Sequence, residues 1–401
     1  MADTPPPPPS SIGISRVSPS TSAHRLFSFG SNSLGQLGIC HINDAHAPTE
    51  VFPPCSSVMN IKTGGNQTFI YSDGSNTAYA TGDNTVGQCG VASLTNPGIN
   101  VAGCSSQSFN TKFTPILPPS PTARWQVISS GWQFSIFVSS DHAVYSCGLG
   151  PRGELGLGSS VTEARSLTRI SSFPPPGTTI TQIVSCVEHS LVLLSDGRVY
   201  GWGNGRKGQL GALLNGEKFI WEPAELQLYL PPGFEVAGIA AGREFSAFIS
   251  PHGEVHVIGS DKSGAVTSKP STKVPGWKTF AAGWRAIYIL ADEGKVLAWG
   301  GRTYGQLPPE DLPPLEKLAV GSEHAIGVGL DGKLYAWGWG EHGNCGPLSK
   351  EQGEIVRWKH EVSIDGLVEG AYKIDGIAAG CATSWVWVTA SNSEGSSNTG
   401  P

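Results

Sequence analysis

Val199-Tyr-Gly-Trp-Gly-Asn-Gly-Arg-Lys-Gly-Gln-Leu-Gly211 is the fullest copy of a phrase that returns seven times along the 401-residue chain. The other copies begin at Leu26 (LFSFGSNSLGQLG), Ala78 (AYATGDNTVGQCG), Val144 (VYSCGLGPRGELG), Val255 (VHVIGSDKSGAV), Val296 (VLAWGGRTYGQL) and Leu334 (LYAWGWGEHGNCG). The copy at Val255 is eroded, with Ala265 and Val266 where Gln and Leu usually stand. A second phrase precedes copies two to seven and follows the last: small residues, a glycine, two variable residues, then an apolar run, as in Ile239-Ala-Ala-Gly-Arg-Glu-Phe-Ser-Ala-Phe-Ile249. Asp-Gly or a near variant usually joins the two phrases, as at Asp73-Gly74, Asp196-Gly197 and Asp331-Gly332. Between apolar runs this dipeptide marks a tight antiparallel hairpin, because the turn needs positive φ and glycine has no Cβ to clash.

The glycines heading the first phrase (Gly30, Gly82, Gly148, Gly203, Gly259, Gly300 and Gly338) are spaced by 52, 66, 55, 56, 41 and 38 residues. That period holds about four short strands, the content of one propeller blade. The small AAG-type segments suit a narrow centre, and the Trp, Tyr and Leu of the first phrase suit the wider gaps between blades. The chain begins with a first phrase lacking its partner and ends with the orphan partner Gly380-Cys-Ala-Thr-Ser-Trp-Val-Trp-Val388. Pairing the two completes a blade and removes the exposed sheet edges. The expected fold is all-β: a seven-bladed β-propeller with four-stranded antiparallel blades, closed by the N- and C-terminal strands. It spans 24–390, between a Pro/Ser-rich tail (1–23) and a Ser/Gly/Asn tail (391–401), both expected to be disordered.

Glycine at 53 residues and charged residues at 14% fit short strands and tight turns. A net charge of -6 argues against a surface built to neutralise phosphates, although a local basic patch stays open. No run of about 18 apolar residues and no secretory signal is found, so a soluble, intracellular protein is expected, cytoplasmic with a nuclear share. Eight cysteines stand without a CxxC pair, which points to a reducing compartment and no metal centre.

Three GxGxxG matches (Gly148 to Gly153, Gly203 to Gly208, Gly338 to Gly343) fall at one point of the repeat with no helical pattern behind them, so they read as turns and not as dinucleotide loops. Gly327 to Lys333 resembles a phosphate loop, but Leu334 stands where Ser or Thr would hold magnesium. His189 and His324 share one repeat position and read as packed strand residues, since catalysis needs one asymmetric constellation. No nucleophile, base and orienting acid can be assembled, and neither an enzyme nor a cofactor is expected.

The phrases closely resemble the repeats of the regulator-of-chromosome-condensation family, from about Leu26 to Val388. The resemblance implies a seven-bladed propeller. The founding member is a nucleotide-exchange factor for the Ran GTPase, but the basic tail and exchange wedge of that protein have no counterpart here. In general form the chain is more similar to the fungal alpha-tubulin-suppressor branch. That branch implies a small zinc-ribbon protein of diphthamide synthesis as partner, and support of Elongator-dependent wobble-uridine modification in tRNA. A Ran-like small GTPase is the alternative partner; neither direct nucleic-acid nor membrane binding is expected.

The two variable residues of the second phrase are expected at the lip of the central channel: Asn66-Gln67, Trp132-Gln133, Val187-Glu188, Arg243-Glu244, Trp284-Arg285, Ser322-Glu323 and Cys381-Ala382. Trp and Arg there are what a protein-binding hot spot uses. Trp132, Gln133, Glu188, Arg243, Glu244, Trp284, Arg285 and Glu323 are therefore the candidate contact residues. A plant photoreceptor of this family uses clustered Gly-Trp-Arg motifs, but Trp132 and Trp284 stand three cycles apart, so no tightly coupled pair is expected. The stretches Val91 to Arg124 and Lys350 to Lys373 are further candidate contact loops.

Overall fold

A computed structural model describes residues 24–53, 60–72, 74–91, 109–212, 216–368 and 370–390. Both expected tails, and 92–108 of the first candidate loop, lie outside the described residues. Blade 1 takes β1 (Arg25–Gly30) and β2 (Ala45–Val51). Blade 2 is β3 (Asn60–Thr63), β4 (Gln67–Tyr71), β5 (Ala78–Asp83) and β6 (Phe109–Ile116). Blade 3 is β7 (Trp125–Ser130), β8 (Phe134–Ser139), β9 (Val144–Leu149) and β10 (Glu163–Arg169). Blade 4 is β11 (Ile180–Cys186), β12 (His189–Leu194), β13 (Val199–Asn204) and β14 (Phe219–Glu225). Blade 5 is β15 (Gly238–Ala241), β16 (Phe245–Ile249) and β17 (Val255–Gly259); blade 6 is β18 (Thr279–Ala282), β19 (Ala286–Leu290) and β20 (Val296–Gly300). Blade 7 is β21 (Leu315–Val320), β22 (His324–Gly329), β23 (Leu334–Trp339) and β24 (Ile355–Glu361), after which β25 (Tyr372–Ala379) and β26 (Thr383–Ala390) return to blade 1.

Blade 1 has the order β2-β1-β26-β25, with Leu26 opposite Trp387 and Ser28 opposite Trp385, so the two ends of the propeller close the ring as expected. The innermost strands touch in the cycle β25, β3, β7, β11, β15, β18, β21 and back to β25. Five blades carry four strands and two carry three among the described residues. The three-stranded blades 5 and 6 belong to the two shortest repeats. Only residues 260–278 and 301–314 separate their third strands from the next blade, the shortest such segments in the ring.

The heading glycines meet one geometric demand. Gly203 lies opposite the first residue of β12 at φ 104, and a Cβ there would stand 2.4 Å from the Glu188 carbonyl oxygen. The core lies between neighbouring blades. Trp202 and Trp337 are wholly buried, and their indole N–H groups donate to the Glu154 and Gln306 carbonyls of the preceding blades (3.0 Å each).

Candidate channel-mouth site

The loops joining first and second strands converge on the channel and are tied blade to blade. Backbone N–H groups donate from Gly65 to Gly131 (3.1 Å), Trp132 to Val187 (2.9 Å), Arg243 to Trp284 (3.0 Å), Trp284 to Ser322 (2.8 Å) and Ser322 to Gly380 (3.0 Å). The loops enclose a cavity of about 110 Å³ whose lining includes Ser130, Ser185, Ser322, Cys186 and Cys381. Burial pushes the Cys186 thiol up to about 12 and that of Cys381 to about 11, so both stay protonated and weakly nucleophilic near neutrality. All six described cysteines are free thiols; Cys55 and Cys104 lie outside the described residues.

The structure corrects the register of the first lip pair. Gly64 N–H donates to the Gln67 carbonyl (2.9 Å), as Gly131 does to Phe134 and Gly321 to His324, so the lip pair is Gly65-Asn66. Gln67 is instead buried in the wall, donating to Ser130 Oγ of blade 3 (2.9 Å).

A second correction concerns the tryptophans. The Trp132 and Trp284 ring centroids are 5.8 Å apart at an interplanar angle of 54°. Three cycles is a long way along the chain but a short way across a mouth built from glycine, alanine and serine. The Arg243 guanidinium carbon lies 5.5 Å from the Trp284 ring centre, a cation–π contact. Trp132 stays 39% exposed, while Arg243 is exposed and makes no ion pair among the described residues.

The side chains of Arg285, Glu323 and Glu188 are engaged within the protein. Arg285 Nε pairs with Glu323 Oε1 (3.2 Å) and its guanidinium lies over Tyr304, while Gln306 Nε2 donates to Glu323 Oε2 (2.6 Å). Glu323 is only 3% exposed, and burial raises its pKa against the lowering pull of Gln306 and Arg285. It positions Arg285 and offers no contact surface. Glu188 is paired with Arg152 and accepts from Asn204 Nδ2 (2.5 Å). Gln133 and Glu244 are half-buried, and their carbonyls accept from Leu149 and Ser260 N–H (2.8 and 2.9 Å).

Beside this lip stands a residue that sequence reading passed over. Glu154 occupies the Gln position of the repeat. Gln36, Gln88, Gln209 and Gln306 accept the N–H two residues earlier, and Glu154 Oε2 does the same from Arg152 (2.6 Å). Where the amides of Gln36 and Gln306 donate across to Asn66 and Glu323, Glu154 has a carboxyl oxygen instead. Burial, with a smaller push from Glu188, raises its pKa to about 7. The visible signal is one acid among glutamines in otherwise matching phrases.

His189 and His324 are buried, and loss of solvent lowers both pKa values to about 4. Ser246 Oγ donates to the Gln209 carbonyl (2.6 Å) and so accepts from His189 Nε2–H (3.1 Å). Ser384 Oγ, donating to Asn344 (2.7 Å), serves His324 in the same way (2.9 Å). Each neutral imidazole thus fastens its blade to the next. The three GxGxxG stretches run into turns, with no α-helix following among the described residues.

A sequence profile described as the RCC1-like domain matches residues 25–386. An RCC1 repeat-containing protein of Schizosaccharomyces pombe is 29% identical over 372 residues, covering 90% of this chain and 98% of the relative. The secretion-regulating guanine nucleotide exchange factor of Mus musculus is 27% identical, covering 80% of this chain and 75% of the relative. The crystal structure of Prp20p from Saccharomyces cerevisiae superposes with a TM-score of 0.75 at 18% identity, over 94% of this chain and 93% of that one, a likeness of fold.

Proposed function

The chain belongs to the RCC1-like domain family, and from that premise we propose that it is a non-catalytic, protein-binding regulatory subunit whose contact surface is the channel mouth. The observation that carries this reading is the exposed Trp132 ring packed on Trp284, with the exposed Arg243 guanidinium over the Trp284 ring. Large apolar area joined to a directed cation is the composition of an interface anchor. The partner in this reading is a small zinc-ribbon protein of diphthamide synthesis, and the wider role is support of wobble-uridine tRNA modification, in the cytoplasm with a nuclear share. Similarity to a fungal RCC1 repeat-containing protein over nearly the whole of both chains supports the regulatory-propeller part of this reading. Affinity purification from a fungal extract with mass identification tests it. Wild type is expected to retain a small zinc protein that Trp132→Ala/Trp284→Ala loses; recovery of none rejects that partner.

A second reading, nucleotide exchange on a Ran-like GTPase, is favoured by the similarity to the mouse exchange factor. It predicts faster release of labelled nucleotide from purified Ran when the propeller is added. An unchanged release rate rejects it.

A further inference from the structure

The turn leaving each third strand is built seven times to one plan, so differences at its tip are not demanded by the fold. In blades 1, 2 and 7 the tips are Ser33-Leu34, Thr85-Val86 and Glu341-His342. In blades 4 and 5 they carry Arg206 and Lys207, and Lys262; in the next blade Arg302 stands one residue before the tip Thr303-Tyr304, and Lys218 flanks the blade 4 turn. All five are exposed, and none makes an ion pair among the described residues. In blade 3, Arg152 is already paired with Glu188.

These turns border the channel mouth. Asn204, Ser260 and Gly301 N–H groups donate to the lip carbonyls of Glu188, Glu244 and Arg285 (2.8, 2.9 and 2.8 Å). With Arg243 the basic groups outnumber the acids Glu217, Glu244 and Asp261. The Asp261 carboxylate is taken up by Val266 and Thr267 N–H and the Thr267 hydroxyl. The arc therefore reverses locally the charge of a chain that is -6 overall. Screening over about 8–10 Å leaves the local sign to govern docking.

We propose that blades 4 to 6 form a basic docking arc for an acidic segment of a partner protein, with Trp132 and Trp284 receiving an apolar side chain of that segment. This rests on the channel mouth being the protein-binding surface. An acidic peptide fits better than a polynucleotide, which needs successive open ring faces along its track. Here Tyr304 lies beneath Arg285 and against Trp339, and Phe219 and Trp221 pack on each other.

The test is fluorescence anisotropy of a labelled peptide of Glu-Glu-Leu repeats against the full chain at low and raised salt. Binding should weaken as salt rises, and Arg206→Glu/Lys207→Glu should weaken it about tenfold. Lys295→Glu, exposed on the hairpin between β19 and β20 at the opposite face, should leave it unchanged. Equal binding by wild type and the arc variant overturns the proposal. So does tighter binding of a labelled single-stranded oligonucleotide than of the peptide. If the natural partner is lost from Trp132→Ala/Trp284→Ala but kept by the arc variant, the mouth stands as the interface and the arc falls. If both variants keep it, the mouth falls too.

Discussion

Glu154 shows how one atom changes the physics of a repeat position. In the copies with Gln36 and Gln306 an amide nitrogen donates across the blade boundary, whereas a carboxyl oxygen can do so only when protonated. Its folded pKa of about 7 lies above its ordinary value of 4.5, so the folded state holds the proton more tightly. Stability from this group is fully present below about pH 4.5 and is lost as pH rises through 7. Glu154→Gln restores the amide of the sister copies. It should raise the melting temperature at pH 8 by an amount corresponding to on the order of 2–3 kcal/mol, with little change at pH 5. Thermal unfolding across that range is the check; parallel curves for variant and wild type would refute the assignment. Glu188 and Arg152 are the charged groups facing this carboxyl, and their pairing keeps the mouth's own charge balanced there.

At the scale of elements, hairpins and blades were legible because period and turn chemistry agree: every first phrase became a third strand and every apolar run a second strand. What was not legible has particular causes. The adjacent Gly64 and Gly65 gave two acceptable registers for the first lip pair, and the bond from Gly64 to Gln67 selects one. Blades 5 and 6 have no fourth strand among the described residues, and their outer segments are the shortest of the ring. Blade 1 draws its strands from both ends of the propeller. Deleting residues 376–390 removes β26 and much of β25, leaving β1 without its inner neighbour and the ring with open edges. Cooperative unfolding should be abolished; a melting curve like that of the intact chain would show that the ring does not depend on this closure.

On the scale of the whole molecule, closure creates what no single blade contains. Trp132 and Trp284 come from blades 3 and 6, and the basic arc from three successive blades, so the channel mouth is a composite of distant segments. Rigid blades fastened by His189 and His324 hold that composite in place, which suits recognition without a large rearrangement. The sequence by itself determined the number of blades, their hairpins and the joining of the ends, because glycine at positive φ and apolar alternation act locally and recur. The tertiary structure alone decided which lip residues meet. Contact across a narrow mouth depends on the radius of the ring, and that distance is not encoded in spacing along the chain.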